Sequence, residues 1–512
     1  LRVSSLIAIL FTLLYGGASA QPVVSPYFFY LNDLSIEQNE KSGLPAGSLR
    51  PFINGFNINN DSISTLEEKY FGQLDYKSRF LRKLKTEHLL QVDSSDFKIS
   101  FDPLFLFEYG PDIVNGDTLF RNTRGVRVSA SIGRSFYLET SFLENQSRYP
   151  LYVREFTDSL KVFPQQGRAK PFKVNGSDFA MAWGSLGWRP TAWMMIRAGH
   201  DKFFVGNGYR SLLLSDNAFV MPFAQLTIIN KSFTYTSVWS NLQTLRYGAY
   251  IFNPLSEPVF ERKGYSFQYL TWKPAKFLEA GFFYSTIWRD FPVWMAAPLP
   301  ASAFGSSDKV NRLAGLNLSA NILKNITVYG QAAYNGKNRG GFQTGIRSRH
   351  TAGIKNLNLL LEYNRVNPHT YQTPSIFQND LQGFHHYNQS LTHSLGANFQ
   401  EWVATANYRI KDFFFWAKIN YFEQWRAGNS LLPLTAPTGN QILNAPPPPP
   451  EAEFGQGTAY FRSIREINFG YLLNRKTNLC IAAGLKMAGG SNQSSWINLS
   501  IGTRLWNQYI DF

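Results

Sequence analysis

From about residue 97 onward, apolar and polar positions alternate in runs of roughly ten residues, the length of a tilted membrane-crossing strand. In Gly125 to Gly133, Val126, Val128, Ala130 and Ile132 fall on one face, and Arg127, Ser129 and Ser131 on the other. Successive strand residues point to opposite faces, so this run has one apolar and one polar side. Gly133-Arg134 reads as a short turn. Beyond it Phe136, Leu138, Thr140 and Phe142 oppose Tyr137, Glu139 and Ser141, which completes a β-hairpin. The pattern recurs. Asp178 to Trp188 and Ala192 to His200 flank Arg189-Pro190-Thr191, and Gly264 to Trp272 and Phe277 to Trp288 flank Lys273-Pro274-Ala275-Lys276. Arg312 to Ile322 is followed by Ile326 to Asn335, Trp402 to Ile410 by Phe413 to Phe422, and Arg465 to Leu473 by Leu479 to Ala488. Trp496 to Leu505 is the last run.

These strands predict an all-β chain: a transmembrane antiparallel outer-membrane β-barrel of about 18 strands. A soluble sandwich could supply any single hairpin. Three features point to the membrane. Trp188, Trp193, Trp272, Trp288, Trp402, Trp496 and Trp506 stand at or near strand ends, where aromatic girdles lie. Short turns alternate with long polar connections. An aromatic residue, Phe512, follows just past the last strand. Polar-face residues such as Arg127, Glu139, Asn317, Gln331, Arg409 and Lys486 would then face a lumen.

The first residues read differently. Arg2, the apolar core Leu6 to Tyr15, Gly16-Gly17 and the small residues Ala18-Ser19-Ala20 have the form of a signal peptide over 1–20, so export is expected. Residues 21–96 read as a periplasmic loop and helical segment, with the barrel over 97–512. Pro45 to Asn60 is rich in Gly, Pro and Asn. A helical stretch follows from Thr65 to Gln91, and Arg79, Arg82, Lys83 and Lys85 crowd one part of it. That cluster fits a solvated helix face, or contact with an acidic polymer or lipid head groups. Pro446 to Pro450 is a stiff run within a long connection, 423–463.

Composition agrees with strands. Aromatic residues make up 16% and hydrophobic ones 44%, yet mean hydropathy is slightly negative. Alternating strands average out in this way, whereas membrane helices need continuous apolar spans. The formal charge of +15 suits acidic polysaccharide or lipid head groups, or a plain surface excess of base. The single Cys480 excludes an internal disulfide framework. No phosphate loop, dinucleotide fingerprint or Cys/His metal pattern is present, and no Ser or Asp announces itself beside a His at a rim. No enzyme, cofactor, metal or nucleic-acid partner is therefore expected. His385, His386 and His393 are close in sequence, but read as loop histidines.

The most distinctive stretch runs from Gly199 to Asp216. It packs Asp201, Lys202, Asn207, Tyr209, Arg210 and Asp216 around three glycines. It reads either as a turn network, given Asn207-Gly208, or as a polar constriction inside the barrel. In the second reading these six residues are the candidate lumen or glycan contacts.

Several segments together resemble the capsule-assembly Wzi family. They are Phe97 to Gly110, Arg124-Gly125-Val126, Ser141 to Gln146, Gly199 to Asp216, Leu361 to Val366 with Pro368 and Tyr371, and His386 to Gln389 with Leu395 to Phe399. Within it the likeness runs toward the gliding-motility branch, the RemB-type outer-membrane proteins. The resemblance implies an 18-stranded barrel with a periplasmic helical part, acting as a lectin that binds or assembles surface polysaccharide, with a role in gliding in the motility branch. The implied partners are surface polysaccharide, outer-membrane lipid or lipopolysaccharide, and motility or secretion machinery. A general or substrate-specific porin is the alternative.

Overall fold

Strand alternation becomes a closed wall. In the strand Phe136–Arg148, Tyr137, Glu139, Ser141, Leu143 and Asn145 are buried, while Leu138 and Phe142 are exposed. Apolar Leu138 and Phe142 therefore face outward while polar Glu139, Ser141 and Asn145 face inward beside Tyr137 and Leu143, largely the inverse of a soluble core. This is the arrangement that stabilises a barrel in lipid. The structure, a computed structural model, describes residues 36–37, 48–52, 60–73, 75–94, 96–133, 135–246, 259–289, 298–299, 310–372, 382–426, 452–503 and 507–512. The signal-peptide segment 1–20, the run Pro446 to Pro450 and Trp506 lie outside the described residues.

Eighteen strands form the barrel. They are β1 (Phe97–Pro111), β2 (Thr118–Ile132), β3 (Phe136–Arg148), β4 (Gly176–Thr191), β5 (Met194–Asp201), β6 (Met221–Ile229), β7 (Phe233–Arg246), β8 (Val259–Ala275) and β9 (Leu278–Trp288) in the first half. The second half is β10 (Val310–Leu323), β11 (Ile326–Gly336), β12 (Arg339–Ser348), β13 (Leu357–Val366), β14 (Phe399–Ile410), β15 (Phe413–Arg426), β16 (Thr458–Asn474), β17 (Leu479–Gly490) and β18 (Ser494–Thr503). Each pairs antiparallel with its neighbours, and β18 closes on β1 through Leu499↔Tyr109 to Gly502↔Leu106. The short strand Leu90–Asp93 runs along the rest of β1, Leu90 opposite Phe101 and Asp93 opposite Lys98. No helix among the described residues is long and apolar enough to cross a membrane.

Two proline segments that read as turns are continuations of strands. Pro190 lies at a register shift between Trp188 and Thr191, so the β4–β5 turn is at residues 192–193. Pro274 lies at another, between Trp272 and Ala275. Proline cannot donate to the ladder, and a bulge admits it without ending the strand.

The predicted helix over 65–91 is two helices and a strand: α1 (Asn60–Phe71), α2 (Arg79–Lys85) and Leu90–Asp93. Gly72, at φ +85°, takes the left-handed conformation that ends α1. Both helices lie at the short-turn end. Arg475 donates from Nη1 to Gly72 O at 2.8 Å and from its backbone N to Lys85 O at 3.2 Å. Arg409 does not line the open lumen. It pairs with Glu67 of α1 at 3.2 Å and covers the Phe71 ring at 3.8 Å.

The girdle holds in part. Trp193, Trp272 and Trp402 are about half exposed, and Trp188 stacks on Phe136. Trp288 and Trp496 are buried instead: Trp288 packs with Val310, and Trp496 falls on the inward phase of β18. Phe512 is not a wall residue either. Residues 507–512 lie inside the barrel, where Phe512 meets Phe156 of α3 (Leu151–Leu160) at 4.5 Å and accepts a hydrogen bond from Arg462 on its backbone oxygen at 2.8 Å.

Candidate functional site

The lumen is filled by the chain's own segments. Beyond β5 the connection 202–220 turns inward. Its Phe204–Val205 pairs with Leu49–Arg50, and Gly206 N donates to Ser48 O at 2.7 Å. Gly206 has φ +144°, and a Cβ there or at Gly208 would collide with Gln331 or Glu362 of the wall. Glycine lets the backbone approach the wall this closely. The β13–β14 connection also folds in. Its His385–His386 pairs with Gln389–Ser390, and Ser215 N donates to Leu391 O at 2.8 Å.

The inward polar residues of the wall are taken up by these segments. Asn317 Nδ2 donates to Asn207 Oδ1 at 2.8 Å, Gln331 Nε2 to Val205 O at 2.8 Å, and Gln343 Nε2 to Arg210 O at 3.0 Å. Lys263 Nζ donates to Gly383 O at 2.7 Å, and Thr244 Oγ1 meets His385 Nε2 at 3.0 Å. A buried polar group costs free energy unless it is paired, and these bonds pair wall groups with plug groups. Arg127 and Glu139 pair within the wall at 2.7 Å.

The six residues singled out in sequence fall in three places. Asp201 accepts from Arg197 Nη2 at 3.2 Å, while Lys202 Nζ donates to Gln165 O and Asp216 O at 2.7 and 3.1 Å. Asp216 Oδ2 accepts from Asn507 at 2.9 Å, so Asp201, Lys202 and Asp216 form one cluster. Burial lowers the Lys202 ammonium to about 8, against the pull of Asp216 and Asp201. Asn207 stands apart, on Asn317. Tyr209 and Arg210 occupy the centre.

That centre is an ion-pair network. Arg210 Nη2 reaches Glu401 Oε1 at 2.9 Å and Asp511 Oδ1 at 3.1 Å, and its backbone N donates to Glu362 Oε1 at 3.1 Å. Tyr209 donates from its hydroxyl to Asp511 Oδ2 at 2.8 Å and accepts from Lys418 Nζ at 3.0 Å. Lys418 also pairs with Asp511 at 2.6 Å, and His393 Nε2 with Glu401 Oε2 at 2.6 Å. Burial alone would raise the Asp511 carboxyl, but Arg210 and Lys418 outweigh it and hold the group well below the usual range. All these side chains are buried.

The sequence reading missed Glu362, Glu401, Lys418 and Asp511. Each of the first three is a charged residue on the inward phase of a strand, next to an outward apolar neighbour (Leu361, Trp402 and Ile419), and that is the available signal. The histidines do not gather. His386 Nδ1 accepts from Gln243 N at 2.9 Å and its Nε2 meets Val220 O at 3.1 Å, while His393 serves Glu401. Among the described residues no group of three His, Cys, Asp or Glu could hold a metal ion.

Beside the network is a cavity of about 100 Å³, bounded by Trp416, Trp496, Tyr149 and Tyr209 together with Lys486 and Glu466. Aromatic faces, charged groups and amides therefore share one small space, a combination suited to a polar ligand with an apolar face.

Residues 99–413 match the family described as capsule assembly protein Wzi. No curated protein matches the chain. Among solved structures it is similar to Wzi of Escherichia coli, described as an outer membrane protein involved in group 1 capsule assembly and a carbohydrate-binding β-barrel. The TM-score is 0.54 at 14% identity, covering 95% of this chain and 100% of that one. It is also similar to OccK7 of Pseudomonas aeruginosa, with TM-score 0.43 and 7% identity over 80% of this chain and 98% of that one. For OccK8 of the same organism the values are 0.43 and 10%, over 79% and 97%.

Proposed function

The chain belongs to the capsule assembly protein Wzi family, and on that footing we propose that it binds surface polysaccharide without catalysis and helps hold or assemble it at the cell. It is an outer-membrane barrel, and its wall presents Leu316, Phe342, Ile419 and Ile497 to lipid. The observation that carries the proposal is the filled lumen. Wall strands β8, β10, β12 and β14 are tied to in-folded segments through buried hydrogen bonds and ion pairs. Such a barrel serves better as a rigid platform than as a path for solutes. The carbohydrate-binding description of the Escherichia coli protein supports the same reading. The cluster of aromatic and charged groups around the cavity suits sugar hydroxyls and acidic substituents.

The test is binding of purified acidic capsular polysaccharide to the detergent-solubilised barrel. Saturable binding is expected; none, with the barrel folded, overturns the proposal. Service to gliding motility, contact with lipopolysaccharide, and coupling to motility or secretion machinery are finer parts of this reading. The first rests on the resemblance of segments such as Leu361 to Val366 and His386 to Gln389. A deletion strain scored for both capsule retention and surface spreading separates the capsule role from the motility role.

A further inference from the structure

The lumenal cavity has binding groups that the plug does not use. Trp496 is 3% exposed, lines the cavity, and its indole N–H has no hydrogen-bond partner. A buried unpaired N–H costs free energy that an acceptor in the cavity would recover. Gln508 also lines it. Its Oε1 accepts from Arg121 and, at 3.3 Å, from the Tyr149 hydroxyl, so its orientation is fixed and the unpartnered Nε2 is left for the cavity. The third group is a cation. Lys486 is buried, and its nearest carboxylate oxygen, Glu466 Oε2, lies at 3.6 Å, beyond hydrogen-bond reach. The same oxygen is 3.6 Å from Lys418 Nζ, so two ammonium groups share one carboxylate oxygen.

The three donors come from two wall strands and the in-folded 507–512 segment, and they ask for oxygen acceptors, one of them anionic. The rings of Trp416 and Tyr209 give the same space aromatic surface. Size restricts the ligand further. At roughly 10–15 Å³ per water-sized group, the cavity of about 100 Å³ takes about seven to ten such groups, room for at most one sugar residue and not a chain. The Glu466 side chain, which lines the cavity, is 21% exposed.

We propose that this cavity is a subsite for a single acidic sugar residue, a uronate, whose carboxylate pairs with Lys486 and whose ring oxygens accept from Trp496 and Gln508. This rests on the carbohydrate reading above and adds to it the class of residue recognised and its place in the lumen. It also separates a monosaccharide subsite from any binding of polymer at the rim.

The test is isothermal titration of the whole detergent-solubilised protein with sodium glucuronate, with glucose and sodium acetate titrated alongside. Saturable glucuronate binding is expected. Because a hydrogen-bonded charge pair contributes about 1.5–3 kcal/mol, glucose should bind at least about tenfold more weakly. Acetate, which lacks the ring, should bind more weakly still. Lys486→Gln should weaken glucuronate about tenfold and Trp496→Phe by a smaller factor, both with heat-modifiable migration kept as proof of a folded barrel. The proposal is overturned if glucuronate does not saturate, if glucose or acetate matches it, or if both variants bind as the parent does. Polysaccharide binding is measured on the same preparation. If the polymer binds and glucuronate does not, the subsite fails and the proposed function stands.

Discussion

Arg210 and Glu401 are 191 positions apart in the chain, yet their side chains meet as a two-pronged pair, Nη2 and Nε both facing Oε1 at 2.9 and 3.2 Å. Arg210 lies on the in-folded connection and Glu401 on β14, so the pair fastens plug to wall. Neither charge is exposed to more than a trace of water. Removing one partner from such a pair strands the other.

Arg210→Ala should therefore destabilise the folded barrel by about 3–5 kcal/mol, the cost of leaving a buried charge uncompensated. Arg210→Lys should recover only part of this, because an ammonium cannot reproduce the planar fork. The readout is the urea midpoint of heat-modifiable migration in detergent. A midpoint unchanged in Arg210→Ala would mean that the pair does not hold the plug.

The plug should also limit conductance. The parent protein should show little or no stable current in a planar bilayer. Shortening the 203–218 connection to a brief Gly/Ser turn should produce discrete open steps, because Val205, Asn207 and Arg210 are its contacts with Gln331, Asn317 and Glu401. A large steady current through the unaltered barrel would favour the porin reading instead.

What was legible in the sequence was the wall, because strand alternation is a local signal. Val126, Val128 and Ile132 mark one face of β2 without reference to any other part of the chain. Turn positions were less legible where proline intervened, as at Pro190 and Pro274, since a bulge and a turn look alike in one strand. The interior was least legible. Gly199 to Asp216 stood out as polar and glycine-rich, but its partners Glu362, Glu401 and Asp511 are 150 or more residues away. Nothing near Arg210 in sequence foretells them. Trp496 suggests a girdle because it begins a strand; its inward phase follows from Ile497 and Leu499 beside it, which are exposed.

The two faces of β10 should respond oppositely to charge. Leu316 is exposed on the outer face near mid-strand, and Asn317, next to it, is fully buried against Asn207. Leu316→Arg should cost about 2–4 kcal/mol, as for a basic side chain at the bilayer midplane, and should lower the yield of barrel folded into lipid vesicles. Asn317→Ala should leave insertion unchanged and lower only the unfolding midpoint, by about 1–3 kcal/mol for a buried group left unpaired. If Leu316→Arg folds into vesicles as well as the parent, the outer face has been misassigned.

Acid should loosen the plug through His386. Burial pushes this imidazole down to about 3, against its hydrogen bond to Val220 O, and nearby Lys263 and His200 push the same way as burial. The ordinary value is 6.5, so between the two values the unfolded chain holds a proton that the folded one does not. Stability then rises with pH across this interval. The contribution is complete above about pH 6.5 and is lost as pH falls toward 3. Within that window each such group adds a slope of about 1.4 kcal/mol per pH unit. His386→Gln, whose amide can still accept from Gln243 N, should reduce the slope of the unfolding free energy by about one proton's worth. His369 and His393, in the same connection, are also held below the ordinary value, so a residual slope should persist in the variant. Urea titrations at pH 4, 5, 6 and 7 on parent and variant measure the difference, and parallel curves would show that His386 carries no proton linkage.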